Sequence, residues 1–350
     1  MKEYSQHLIS VKTIARDAIK HLTNLPNIES RTLFVIDDKD QMVGTLTDGD
    51  IRRGLIDGLE LSDSIFKYMN HEFKYLINGK DFLQQLSRFR KLGIEFVPLL
   101  DEHKSIVRIL DLKILQTVLP ASALLMAGGR GERLKPLTDN VPKPMLIVGD
   151  KPILEHNIDR LRKFGISEFF ISVNYLASQI MDYFGDGSDK DISITYVRED
   201  TPLGTLGSLG LIESISNEYL LVMNSDLLTN LDYEDFFMFY LDSKADMCIA
   251  SVPYQVNIPY AVLETEGNRI QSFKEKPRYT YYSNAGIYFF KSELKNQVPV
   301  KQLYNATDLM QDLINDSKSV IHYPILNYWL DIGKHHDFLK AQDDFAHIKF

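Results

Sequence analysis

The chain has 350 residues, 44% of them hydrophobic and 25% charged, with a net charge of −9 and a single cysteine. That length suits two modest domains with well-buried cores, and the acidic balance argues against a protein that lives on nucleic acid or an anionic membrane. One cysteine, Cys248, excludes a disulfide framework or a cysteine-based zinc site within one chain, and it reads as a buried structural residue. The first ten residues hold no apolar signal segment and no apolar run reaches bilayer length, so the cytoplasm is the expected compartment.

The first third contains an internal repeat. A shift of 64 positions places Asp17 on Asp81, Ile19 on Leu83, Leu22 on Leu86, Asp37 on Asp101, Val43 on Val107 and Leu46 on Leu110. Each copy reads as an amphipathic helix, a strand (33–36; 95–97), an acidic turn and a second strand. The turns are Asp37-Asp38-Lys39-Asp40 and Asp101-Glu102-His103-Lys104, polar clusters of the kind that reverse a chain between apolar strands. Neither copy has enough apolar surface to stand alone, so the two should pack together.

Pro120 lacks a backbone donor and biases Leu119 away from helix, which predicts a hinge between domains there. After it, strands and helices alternate. Strands are predicted at 123–126, 169–173, 192–197 and 219–223, with helices at 153–164, 179–184 and 232–241. Such alternation implies a mostly parallel sheet covered on both faces, with ligands beyond the carboxyl ends of its strands.

Residues 128–138, GGRGERLKPLT, follow the first of these strands. Glycines here let the backbone approach a ligand and present N–H groups to anionic oxygens. No Gly-Lys-Ser/Thr closes a P-loop, and Leu134 occupies the place of the third glycine of a dinucleotide fingerprint. What remains is a phosphate-cradling turn carrying Arg130, Arg133 and Lys135, followed by Lys143 clamped between Pro142 and Pro144.

Together with Pro142-Lys143-Pro144-Met145 and the run up to Ile158, this turn resembles the signature of the sugar-1-phosphate nucleotidyltransferase family, and the likeness extends over about residues 121–350. The resemblance implies that Gly128, Gly129 and Gly131 wrap a nucleoside triphosphate, that Arg133 contacts its outer phosphates, and that Lys143 steadies the α-phosphate. It also implies a magnesium ion held by Asp226, in Asn224-Ser225-Asp226, and by Asp331, in Trp329-Leu330-Asp331-Ile332-Gly333. Both aspartates follow apolar runs, as strand-end residues do. Ser225 stands where the family has glycine, on the sugar side, and Ala261 likewise. Glu275, Lys276 and Asn284 are expected to hold the sugar 1-phosphate. Glu199, Pro202, Gly204 and Thr205 are expected at the base, with Glu199 accepting the N–H donors of guanine and so favouring GTP. The adjacent His335 and His336 read as surface residues.

In the front third, residues 44–53, GTLTDGDIRR, give a resemblance to tandem CBS modules, in which Thr47 and Asp50 match the positions that hold an adenine nucleotide. The same shift puts Asp111 and Ile114 there in the second copy, so one complete site is expected. The expected fold is thus α/β: a Rossmann-like, mostly parallel nucleotidyltransferase domain (121–350) behind a tandem CBS (Bateman) α+β module (1–118, repeats about 1–62 and 63–118). CBS modules pair between chains, which implies a homo-oligomer. Such a fusion resembles the enzymes that make GDP-glucosamine for legionaminic acid synthesis, which adds a lean towards GTP and an amino-hexose 1-phosphate. The alternatives are mannose-, glucose- or heptose-1-phosphate with UTP, CTP or dTTP, or a non-catalytic nucleotide-binding regulator.

Overall fold

Leu119 stands at the junction where the chain divides into two compact units, Met1–Val118 and Leu119–Phe350. The structure, a computed structural model, describes residues 5–25, 31–77, 82–113 and 115–348. Asp81 and Ile114, two positions of the sequence repeat, lie outside the described residues.

In the front unit, β1 (Leu8–Ser10), β2 (Thr32–Ile36) and β3 (Met42–Thr47) form one sheet, with β1 parallel and β3 antiparallel to β2. The strands β4 (Leu76–Ile77), β5 (Phe96–Leu100) and β6 (Ile106–Asp111) repeat that pattern. The helices are α1 (Ala15–Thr23), α2 (Asp48–Ile56) and α3 (Phe82–Lys91). At the 64-residue shift the two hairpins coincide residue for residue. Thr32 faces Thr47 as Phe96 faces Asp111, Leu33 faces Leu46 as Val97 faces Leu110, and both ladders slip at the same place, after Val35 and after Leu99. The turns match too. Asp37 accepts the N–H groups of Lys39 (2.8 Å) and Gln41 (3.0 Å), and Asp101 those of His103 (2.9 Å) and Ser105 (2.8 Å). In each, a carboxylate takes over turn donors that would otherwise face water. Ala18, Leu22 and Leu25 are buried, as are Phe82, Leu86 and Phe89. Between the copies, Met42 N–H donates to Lys104 O (2.9 Å), and Phe34 and Met42 share a core with Phe96, Leu100 and Ile109. Neither half buries that face by itself.

In the second unit the strands are β7 (Ala121–Met126), β8 (Ile147–Val148), β9 (Lys151–Pro152), β10 (Glu168–Val173), β11 (Ser193–Arg198), β12 (Tyr219–Asn224), β13 (Leu227–Thr229), β14 (Met247–Asn257), β15 (Val262–Glu266), β16 (Arg269–Lys274), β17 (Arg278–Lys291), β18 (Val320–Pro324) and β19 (Trp329–Asp331). Its helices are α4 (Ile153–Lys163), α5 (Ala177–Phe184), α6 (Tyr233–Ser243), α7 (Ala306–Asn315) and α8 (His335–Phe345). Seven strands form one sheet in the order β11-β10-β7-β12-β17-β14-β18. Every pairing is parallel except the two made by β17, so the sheet is mostly parallel. Both faces are covered. Leu124, Phe170, Val222 and Phe290 pack with Leu309 and Leu313 of α7, while Phe289 on the other face meets the rings of Phe236 and Phe237 of α6 at 5.0 and 5.2 Å.

The predicted elements appear with ends moved by one to three residues. The helix expected from 232 begins at Tyr233 because Asp232 is its cap, accepting from the N–H groups of Glu234 (3.0 Å) and Asp235 (3.1 Å). Beyond Val252 and before Asn284, β14 and β17 leave the core and, with the β15–β16 hairpin, form an exposed arm. Among the described residues no helix is long and apolar enough to cross a membrane.

Candidate active site

The glycine-rich turn leaves the carboxyl end of β7 at the middle of the sheet. Ala127 N–H donates to Ser172 O (3.1 Å), and Gly131, at φ 64°, begins a 3-10 turn over Glu132–Leu134. A side chain on Gly131 would sit 3.0 Å from Lys143 Cβ and from Thr138 Cγ2, besides the strain of that backbone conformation. Gly128 is closed in as well, 3.0 Å from Glu199 Oε1 by the same measure, while Gly129 faces open space. The buried Thr138 donates its hydroxyl to Gly131 O (2.8 Å) and ties the loop shut.

Lys143 opens the short 3-10 turn Lys143–Met145 behind Pro142 and is 9% exposed, low for a lysine. Its ammonium donates to Asp226 Oδ2 and lies 4.0 Å from Asp331 Oδ1. The remaining oxygen, Asp226 Oδ1, is buried with no hydrogen-bond partner. Two carboxylates far apart in sequence therefore meet at one lysine. The sequence reading placed each at the carboxyl end of a strand, and for Asp331 that strand is not one of the seven in the large sheet. Asp331 ends β19, which pairs antiparallel with β13 in a separate two-stranded ribbon. Leu227 faces Asp331 in that ribbon, and Ile332 N–H donates to Asp226 O at 3.1 Å. Arg133 borders the same place, since a side chain on Gly333 would lie 3.6 Å from Arg133 Nη2 and 3.7 Å from Asp331 Oδ1.

Burial and the neighbouring Asp226 charge raise the Asp331 pKa, against the pull of Lys143 and Arg133. The folded protein therefore holds this proton to higher pH than the unfolded chain does. The group's contribution to stability is present below the ordinary carboxylate range and is lost as pH rises through its raised pKa. Asp331→Asn should accordingly raise the Tm at neutral pH, and the gain should vanish below about pH 4. Thermal melts at the two pH values check this; a lower Tm at neutral pH contradicts it.

Among the described residues no cluster of three or more His, Cys, Asp or Glu side chains is set out for a metal. Two hard oxygen donors, one of them an orphaned buried acceptor, fit magnesium, which takes few protein carboxylates and completes its shell from phosphates and water.

Glu199 is buried on the far side of the turn. Its Oε2 accepts Leu203 N–H (3.1 Å), and burial raises its pKa against the hydrogen bonds from Leu203 and Ser172. Pro202 is exposed beside it. Gly204 and Thr205 are also engaged by the segment that leads into α7. Gly204, at φ 82°, faces Asn305 Oδ1 and Tyr304 O, which a side chain would approach to 2.6 and 2.8 Å. Thr205 N–H donates to Asn305 Oδ1 (3.2 Å), and its hydroxyl accepts from Ala306 N–H (3.0 Å) at the start of α7. That glycine is required by the protein's own backbone, before any base is considered.

Glu275 and Lys276 lie exposed on the arm, and among the described residues no hydrogen bond or ion pair ties either to the Lys143–Asp226 cluster. Asn284 is nearer the core, accepting from Gly286 N–H (2.9 Å) and donating to Tyr288 Oη (2.9 Å). His335 and His336 are exposed, and His335 Nε2 meets Lys135 O at 2.7 Å. Cys248 is buried, its thiol pushed up to about 12 by desolvation.

In the front unit, Thr47 and Asp50 form the capping box of α2. Thr47 Oγ1 accepts Asp50 N–H (3.3 Å), Asp50 Oδ2 accepts Thr47 N–H (2.8 Å), and Asp50 Oδ1 pairs with Arg53. In the second copy Asp111 accepts Lys113 N–H (2.9 Å), and no helix follows among the described residues.

Sequence reasoning missed one residue here, Asn157, and gave Ser225 another role. The buried Asn157 of α4 donates to Ser225 O (3.2 Å), and the Ser225 hydroxyl, read as facing the sugar, donates instead to Met126 O (2.6 Å). Asn157 was readable, for it lies at helical spacing between Leu154 and Leu161 on an otherwise apolar face.

Residues 122–347 match the model of the nucleotidyl transferase family, and the chain belongs to that family. It is similar to a mannose-1-phosphate guanylyltransferase from Mycobacterium tuberculosis, 31% identical over 230 residues, which are 63% of this chain and 64% of that one. It is also similar to the mannose-1-phosphate guanylyltransferase catalytic subunit beta of Dictyostelium discoideum, 30% identical over 228 residues, 63% of each. Among solved structures, HddC from Yersinia pseudotuberculosis is 26% identical with a TM-score of 0.51, covering 64% of this chain and 99% of that one. The chain spans 62–64% of the length of these curated relatives and of a rice homologue.

Proposed function

We propose that the second unit transfers a nucleoside monophosphate, GMP by preference, from a nucleoside triphosphate to a sugar 1-phosphate, releasing pyrophosphate. The observation that carries this reading is the meeting of Lys143, Asp226 and Asp331 beside the glycine-rich turn. The guanylyltransferase names of the two relatives support GTP and a hexose phosphate. An oxygen of the sugar phosphate attacks the α-phosphorus, the bond from that phosphorus to the bridging oxygen breaks, and the electron pair leaves with pyrophosphate. The attacking oxygen is already ionised near neutral pH, so the protein's task is positioning and charge stabilisation. Backbone N–H groups of Gly128, Gly129 and Gly131 cradle the triphosphate, Arg133 meets its outer phosphates, and Lys143 holds the α-phosphate. Magnesium, held by Asp226 and Asp331, supplies neutralisation of the triphosphate when bound. Glu199 accepts from the guanine edge, with Pro202, Gly204 and Thr205 lining that side. Glu275, Lys276 and Asn284 take the sugar phosphate, the first two from the arm.

The finer reading is an amino-hexose 1-phosphate used in the cytoplasm for nonulosonic acid or cell-surface glycan synthesis, and it rests on the repeat in front. For that unit we propose a CBS-type role, assembly of a homo-oligomer with an adenine nucleotide as ligand at Thr47 and Asp50. The coincident registers at the 64-residue shift favour it. Pyrophosphate release measured with GTP, UTP, CTP and dTTP against glucosamine, mannose, glucose and heptose 1-phosphates tests the transfer. GTP should lead by at least about tenfold, the worth of one good hydrogen bond to a charged acceptor; no turnover with GTP would sink the base assignment. Adding AMP or ATP to the same assay tests the front unit, where a rate change abolished by Thr47→Ala supports the site.

A further inference from the structure

We propose that Ser225 and Asn157 are positioning residues that set the direction of the Asp226 carboxylate; this rests on the reading of Asp226 as a metal carboxylate. Asn224, the last paired residue of β12, faces Met126, the last residue of β7. A parallel ladder would fray at that pair. Here Ser225 carries it one residue further, for its N–H (3.3 Å) and its hydroxyl (2.6 Å) both donate to Met126 O. Met126 leads directly into the glycine-rich turn and Ser225 directly into Asp226. One hydroxyl thus fixes the spacing between the phosphate cradle and the carboxylate.

Helix α4 fixes the same segment from the other side. Asn157 Nδ2 donates to Ser225 O at 3.2 Å, and Arg160, three residues on along the same helix face, donates to Leu231 O at 2.7 Å. The stretch from Ser225 to Leu231, which holds Asp226 and β13, is therefore pinned at both ends by one helix. Ser225 and Asn157 are each 3% exposed, so solvent does not stand in for either bond. Asp226 Oδ1 has no hydrogen-bond partner. Its direction follows from the backbone at 225–226 and from Lys143 on Oδ2. A glycine at 225 would leave Met126 O only the 3.3 Å backbone bond from that residue.

Ser225→Ala and Asn157→Leu each remove one bond while keeping a side chain of compatible size. The full chain is titrated with Mn2+ in the presence of GTP and without sugar phosphate, and bound Mn2+ is read by electron paramagnetic resonance. Mn2+ affinity should fall about tenfold in each variant, the usual effect of losing a partner behind a metal ligand. kcat should fall by a similar factor, with KM for the sugar phosphate changed less than about twofold. A lowered Tm with unchanged Mn2+ affinity in both variants overturns the proposal. Wild-type protein that binds no Mn2+ with GTP overturns the metal reading and the proposal with it. If wild type binds Mn2+ but turns over no sugar phosphate, the transfer reading fails alone and the affinity comparison still decides the positioning.

Discussion

Asp226→Asn lowers turnover by about 10³-fold, with the protein still melting as a folded molecule, because the change removes charge and almost no volume. Asparagine keeps an oxygen to accept from Lys143 and so keeps the packing of the 3-10 turn at Lys143–Met145. What it loses is the carboxylate with one oxygen on the lysine and the other buried and unpartnered. A buried acceptor left without a donor costs stability wherever no ligand takes it up. The replacement should therefore cost the protein little stability while removing most of the transition-state stabilisation. Steady-state pyrophosphate release and a melting curve on the same sample check both halves. Activity within about tenfold of wild type would mean that the metal carboxylate is elsewhere.

Lys143→Ala has two effects, and they separate. Turnover should fall by about 10²–10³-fold, the range seen when one charge-stabilising donor is removed. Stability should fall by about 2–4 kcal/mol, because the substitution leaves Asp226 largely buried without its cation. The side chains of Lys143 and Asp226 are only 11% and 22% exposed, so water replaces the lysine poorly. The stability loss also has a pH signature. Lys143 lowers the Asp331 pKa, so its removal raises that pKa further, and the loss should be larger at pH 8 than at pH 5. In Asp226→Asn the same lysine substitution should cost less stability, since the unpaired charge is gone. Denaturant unfolding of the two single variants and the double variant measures this; equal costs in both backgrounds would show that the pair is not coupled.

The glycine-rich turn, the lysine behind it and the alternating strands could be read from the chain because each depends on local pattern. Glycines at 128, 129 and 131 and the prolines around Lys143 all fall between positions 128 and 144, and the apolar runs repeat at short helical or strand period. The meeting of Asp226 with Asp331 depended on the β13–β19 ribbon. Three residues on each side, Leu227–Thr229 and Trp329–Asp331, are too short to give a periodic signal, so only the fold reveals that pairing. The arm was missed for another reason. Along the outer parts of β14 (253–257) and β17 (278–283) aromatic and polar residues mix without a buried face, as exposed Tyr254, Tyr281 and Tyr282 show, so alternation against a core is absent there. Gly204 was assigned to a base because glycine permits close approach, and in the fold Asn305 Oδ1 and the backbone of Tyr304 also close in on it, which no local pattern in the chain announces. Ser225 was read as an intrusion on the sugar side, and its hydroxyl turned out to be taken by Met126 O. In the front unit the repeat was legible because hairpin, turn and helix all return at one shift, whereas Thr47 and Asp50 read as ligand residues also satisfy a helix cap.

Nucleotidyl transfer is what we propose for the Lys143, Asp226 and Asp331 cluster. Its most direct test is product analysis by mass spectrometry after the full chain is incubated with Mg2+, GTP and either glucosamine 1-phosphate or mannose 1-phosphate. The expected result is a GDP-sugar and pyrophosphate in equal amounts, both formed about 10³-fold more slowly with Asp226→Asn. Formation of GDP and inorganic phosphate, or of no nucleotide-sugar from any pairing of triphosphate and sugar phosphate, would contradict it.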